Sequence, residues 1–183
     1  MRFVYDDRKA ADAATFLLNR VGGSMNYIKL LALMYLSDRR TFLETGYPIT
    51  GAKMLSMDKG PVLGEVYRQI TWGETESTWS RFIEAPIDYE VSLKVNMADG
   101  SYLSDYERDV LQDISAKYED WEPRALERLM RTLPEWKDPE GAALPIDAII
   151  ILQSAGRTRE DIQDTAELVE GIRAMRLSSV LSR

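Results

Sequence analysis

Residues 26–44 restrict the fold more than any other stretch. Ile28, Leu30, Leu31, Leu33, Met34, Tyr35 and Leu36 wrap most of the way round a helix running from Asn26 to Glu44, instead of forming one stripe. A helix that is apolar on nearly every side must be enclosed, so the remaining elements have to surround it. The chain has enough material for that: 183 residues, 45% of them hydrophobic, suit one domain with a contiguous core.

Local signals supply the surrounding elements. Asp6 or Asp7 is placed to cap a helix over about Arg8–Val21, with Phe16, Leu17 and Val21 on its inner face and Gly22-Gly23 ending it. Ala52–Met57 reads as a short extended piece before the turn Asp58-Lys59-Gly60-Pro61, and Pro61 is suited to open a helix through about Ile70. In that helix Val62, Val66 and Ile70 recur at helical spacing, leaving Tyr67 on their flank. Trp72 to Ser80 is polar and irregular. Ile87, Tyr89, Val91, Leu93 and Val95 then alternate with Asp88, Glu90, Ser92, Lys94 and Asn96, the clearest strand pattern in the chain.

Ser104 and Glu107 form a capping box for a helix to about Lys117. Pro123 opens a short helix bearing Leu126, Leu129 and Met130. Pro145 opens another bearing Ile146, Ile149, Ile150 and Leu152, although the run 149–152 also suits a strand. Thr158 precedes a helix over about Arg159–Leu177, with Ile162, Ala166, Val169, Ile172 and Met175 inward. The expected fold is therefore α+β: a predominantly α-helical single domain, six or seven helices around a small antiparallel strand pair.

Composition narrows the chemistry. The chain has no cysteine and no histidine, which removes disulfides, thiol nucleophiles, thiolate metal sites and the commonest general base. Carboxylates, Lys, Tyr, Ser and Thr remain, and their spacing demands no catalytic arrangement. Ser24, Ser56, Ser101 and Ser104 lack a nucleophile elbow, and Gly22-Gly23 lacks the rest of a phosphate-binding loop. Glu160, Asp161, Asp164, Glu167 and Glu170 match no metal loop and suit a solvated helix face. No cofactor and no metal are expected.

A net charge of −7 and a pI near 4.8 oppose binding to DNA, whose affinity rests on Lys and Arg releasing counterions. No stretch reaches the roughly 18 apolar residues of a membrane span, and the start lacks a signal peptide's apolar run, so a cytoplasmic location is expected.

Three segments carry a resemblance. Lys29-Leu30-Leu31-Ala32-Leu33-Met34-Tyr35-Leu36-Ser37-Asp38-Arg39 resembles the K-L-x-K-L-x-Y-x-x-D helix of the Panacea, or SocA-like antitoxin, domain. Ser56 to Tyr67, with Gly60-Pro61-Val62 and Val66-Tyr67, is similar to that family's G-P-V-x-x-x-V-Y signature. Leu133-Pro134-Glu135-Trp136 is similar to its L-P-E-W stretch. The likeness spans about 8–147, leaving 148–183 as a helical extension packed on the domain. Ala32 stands where the family often has a second Lys, and Arg131 or its neighbour where a His commonly precedes L-P-E-W.

The resemblance implies an antitoxin, not an enzyme, that binds and neutralises a protein toxin encoded nearby. It also implies an adaptor role toward a AAA+ protease as a variant. A DNA-binding operon regulator, a phage-associated protein and a carboxylate enzyme with Mg²⁺ are the competing readings. The residues expected to face the partner are Lys29, Tyr35, Asp38, Arg39, Lys59, Gly60, Pro61, Val62, Tyr67 and Trp136. Most also have an ordinary structural explanation: a turn for Gly60-Pro61, core packing for Tyr67 and Trp136, ion pairing for Lys29, Asp38 and Arg39. A homodimer through the last helix stays open.

Overall fold

The computed structural model describes residues 1–73, 77–95 and 102–181. Asn96, Ser101 and residues 74–76 of the irregular segment lie outside them.

Helix α2, Tyr27–Thr45, forms the axis of the domain. The Asn26 side chain accepts from the Ile28 N–H at its start, and Gly46, at φ +80°, ends it in the left-handed conformation that glycine tolerates. The unbroken run from Leu30 to Asp38 is buried. Packed against α2 are α1 (Asp7–Arg20), α5 (Asp105–Lys117), α6 (Pro123–Met130), α3 (Gly64–Thr71) and α7 (Ala148–Ser154). The short α4 (Thr78–Phe82) lies on α1, and the long α8 (Arg159–Leu181) meets α7. The fold is thus the α-dominated α+β domain expected.

Several local expectations held at the level of single hydrogen bonds. Asp6 caps α1 by accepting from the Lys9 N–H, Ser104 and Glu107 make the reciprocal capping box of α5, and Pro123 occupies the first turn of α6. The inner face of α1 differs from the expected one. Ala10, Ala11, Ala13 and Ala14 join Leu17 and Leu18 there, letting α1 approach its neighbours closely, while Val21 sits past the helix end and is 39% exposed.

Among the described residues the β structure comprises two small antiparallel sheets, in place of the one strand pair expected. Strand β1 (Ser24–Asn26) pairs antiparallel with β4 (Glu90–Ser92), and β2 (Met54–Met57) lies between β3 (Gly60–Leu63) and β5 (Leu144–Pro145). Pro61 therefore opens no helix. It lies in β3 opposite Ser56, on an edge strand where a missing N–H is tolerated, and α3 begins only at Gly64. Pro145 likewise lies in β5, opposite Leu55. Helix α7 starts after Asp147, whose side chain accepts from the Ile149 N–H, and the run 149–152 is helical.

The alternating run 87–95 is not one strand. Asp88 and Tyr89 have φ of +49° and +69°, and Ile87 and Glu90 exchange N–H···O bonds of 2.9 and 2.8 Å around them. The chain thus reverses within the pattern by a two-residue hairpin turn. Val91 is fully buried and Leu93 half-buried, whereas Ile87, Tyr89 and Val95 are exposed. In α8, Val169 is buried, Ile162, Ala166 and Ile172 are half-buried, and Met175 faces solvent. Among the described residues, no helix is long and apolar enough to cross a membrane.

Candidate functional site

A cleft of about 180 Å³ opens where the first turns of α2 meet the β2–β3 hairpin and helices α3 and α6. The Asn26 cap fixes the start of α2, so Tyr27, Ile28 and Leu31 present successive turns to the cleft. Pro61 and Val62 face it from β3, and Met130 closes its floor from α6. Tyr67 and Tyr27 border it as half-buried aromatics. The Tyr27 ring also stacks on Tyr89 of the turn preceding β4, with centroids 5.7 Å apart and planes 10° from parallel. Burial pushes the Tyr27 phenol above its ordinary range, with Lys59 acting in the opposite direction.

One ion pair marks the rim. Lys59, at the hairpin tip, approaches Glu127 of α6 at 3.5 Å, and both side chains line the cleft. Gly60 makes this packing possible. Its φ is +120°, and a Cβ there would lie 2.5 Å from Met130 Cβ, so only glycine lets the hairpin come this close to α6. The result is a narrow apolar slot flanked by tyrosines and by the charges of Asp58, Lys59 and Glu127, an arrangement suited to binding an apolar side chain.

The residues expected at a partner surface fall into separate groups. Lys59, Pro61, Val62 and Tyr67 line the cleft, with Gly60 between them in the hairpin. Lys29 points elsewhere and donates to the Glu119 carbonyl. Tyr35 and Asp38 are enclosed, at 0% and 1% exposure, and present nothing at the surface. Asp38 accepts from the Thr50 N–H at 3.0 Å and from the Thr50 hydroxyl. Burial raises its carboxyl to about 7 despite those hydrogen bonds, which act to lower it.

The rest form a brace behind the cleft. Glu135, 1% exposed, accepts from Arg39 Nε at 2.7 Å, from Arg39 Nη2 at 3.3 Å and from the Tyr35 hydroxyl at 3.0 Å. Burial, aided by the adjacent Glu135 carboxylate, pushes the Tyr35 phenol well above its usual range. Next to it Trp136 is half-buried, donates from Nε1 to the Met57 carbonyl at 3.0 Å, and lies 6.0 Å from the Arg131 guanidinium. Met57 also lines the cleft, so the brace fixes one of its walls. Among the described residues, no group of three or more carboxylates is placed to hold a metal ion.

Sequence reasoning did not single out Tyr27, Ile28, Leu31, Met57, Glu127 and Met130 as site residues, nor Glu135 as the centre of the brace. Glu135 carried a usable signal: an acidic residue between Pro134 and Trp136 calls for a cation, and the enclosed helix offers Lys29, Arg39 and Arg40. For Glu127 only the packing of α6 on the hairpin reveals a role.

The sequence model of the family described as antitoxin SocA-like, Panacea domain, matches residues 30–137. The match takes in most of α2, the β2–β3 hairpin, α3, α4, β4, α5, α6 and the brace, and leaves α1, β1, β5, α7 and α8 outside it. No curated protein and no solved structure matches the chain.

Proposed function

The chain belongs to the SocA-like, Panacea-domain antitoxin family, and on that premise we propose that it binds a cognate protein toxin at the Tyr27–Tyr67 cleft and neutralises it by occlusion. The observation that carries this reading is the position of the cleft. Its Gly60-Pro61-Val62 wall lies inside the family-matched part of the chain, and it is apolar, open and bordered by tyrosines.

Binding energy in protein interfaces concentrates in a few anchors that enter well-packed pockets. A cleft of about 180 Å³ accepts one large apolar side chain. Tyr27, Tyr67 and Tyr89 supply broad contact around the entrance at small entropic cost, and Lys59 and Glu127 set orientation and encounter from the rim. The brace keeps Met57 in place before the toxin arrives, so little ordering is spent on docking. This action takes place in the cytoplasm and needs no catalysis, metal, DNA or membrane.

Co-expression with the protein encoded by the neighbouring gene tests it. A stable complex on co-purification, with growth restored in cells expressing that protein, is the expected result. Absence of both complex and rescue rejects the reading. Toxin half-life separates occlusion from delivery to a AAA+ protease: occlusion leaves it unchanged, and delivery shortens it.

A further inference from the structure

A second pocket, of about 520 Å³, lies where residues 1–3 meet residues 51–55, the segment 145–148 and Arg173 of α8. Phe3, Ala52, Met54 and Ile146 supply the apolar part of its lining, and much of the remainder is polar. Its charged lining is of one sign. Arg2, Lys53 and Arg173 face it, and among the described residues no aspartate or glutamate does. In a chain of net charge −7 such a local gathering of cations is unexpected. Arg173 pairs at 3.1 Å with Glu170, which is more than half exposed, so that contact is weak and easily exchanged. Among the described residues, Arg2 and Lys53 form no ion pair.

The pocket is built in advance. Val4 donates its N–H to the Tyr47 hydroxyl at 3.0 Å and accepts from Arg176 Nη1 at 3.2 Å. Phe3 packs edge-on against Phe42 and Tyr47, with centroids 5.3 and 5.4 Å away. Gly51, at φ +65°, admits this arm, since a Cβ there would fall 2.2 Å from the Val4 carbonyl oxygen. Of the lining, Gly51 to Leu55 lie within the family-matched residues, whereas Arg2, Phe3, Ile146 and Arg173 lie outside. The pocket is therefore assembled largely from parts that the family match does not cover.

We propose that this pocket binds a small organic anion, its carboxylate or phosphate held by Arg2, Lys53 and Arg173 and its apolar body lying against Phe3, Met54 and Ile146. The volume falls in the range of small-molecule sites, roughly 300–1,000 Å³. Guanidinium groups match the two-oxygen geometry of both acid types. Like charges facing one cavity repel each other, and a bound anion relieves that repulsion.

Fluorescence titration of the full chain with 8-anilinonaphthalene-1-sulfonate, an apolar aromatic anion, tests this at physiological salt. Saturable binding is expected, displaced by decanoate or by adenosine monophosphate but not by equal concentrations of inorganic phosphate. Displacement by decanoate identifies a carboxylate ligand, and displacement by the nucleotide a phosphate one. The double reversal Lys53→Glu/Arg173→Glu should weaken the displaceable component by roughly tenfold or more, about 1.4 kcal/mol or more, and Lys117→Glu, a charge reversal elsewhere, should not. Thermal melting of each variant checks that the fold persists. Equal dye affinity in all three proteins, or displacement by neither organic anion, overturns the proposal.

Discussion

Arg39 and Glu135, 96 positions apart in the chain, meet at 2.7 Å, with the Glu135 carboxylate almost wholly withdrawn from solvent. This contact fastens the segment after α6 to the central helix and, through Trp136, to the end of β2. Breaking it from one side strands a buried charge. Arg39→Ala is expected to cost about 3 kcal/mol in urea-induced unfolding. Tyr35→Phe removes one hydrogen bond to the same carboxylate and is expected to cost about 2 kcal/mol. Because both partners share Glu135, the double variant Arg39→Ala/Glu135→Gln should lose less than the sum of the single changes. Strict additivity would show that the brace does not act as a unit.

Asp38 predicts an uncommon pH dependence. Its carboxyl stands at about 7 in the folded chain against 3.8 for the unperturbed group. Between those values the folded state holds a proton that the unfolded state has released, so this group favours folding at low pH. That contribution is complete below about 4 and is lost as pH rises through 7, at up to about 1.4 kcal/mol per pH unit. Asp38→Asn, which resembles the protonated form, should flatten the stability profile over this window. Parallel pH profiles for the two proteins would refute the assignment.

The elements readable from sequence are those fixed by their own neighbours. Asp6, Asn26, Ser104 and Pro123 start helices through contacts within four residues, and the enclosed run Leu30–Leu36 identifies itself. Pro61 misleads because its fixed φ suits both a helix start and an edge strand. The choice is made by Ser56 and Leu55 across the hairpin, and by Met130, which forces glycine at position 60. The alternation from Ile87 misleads because period two is blind to a two-residue turn that preserves it. In the site, Tyr67 and Lys59 could be singled out from the signature that surrounds them, whereas Glu127 enters only through helix packing.

Two glycines should respond to the same substitution in opposite directions. Gly60→Ala meets both a left-handed backbone and the Met130 side chain, and is expected to destabilise by about 2–3 kcal/mol. Gly171 lies within α8, exposed, with nothing within 4 Å of a Cβ. Gly171→Ala should therefore stabilise by about 0.5–1 kcal/mol through helix propensity alone. Thermal melting of the two variants gives the comparison. A destabilised Gly171→Ala would mean that α8 is not helical at that point in solution.

The toxin docking proposed at the cleft can be separated from folding, because the entrance residues carry little of the core. Tyr67 is half-buried and Lys59 is exposed, with a single 3.5 Å ion pair. Tyr67→Ala removes an aromatic wall and is expected to weaken the complex with the neighbour-encoded protein by about 2 kcal/mol, roughly thirtyfold, while the fold survives. Lys59→Glu sets two carboxylates against each other at the rim, beside Glu127. It should chiefly slow association, an effect that shrinks as salt is raised. Kinetic binding measurements at two ionic strengths read both effects: Tyr67→Ala appears in the dissociation rate and Lys59→Glu in the association rate. If both variants bind as the unaltered chain does and remain folded, the toxin is held elsewhere and the cleft is not its docking site.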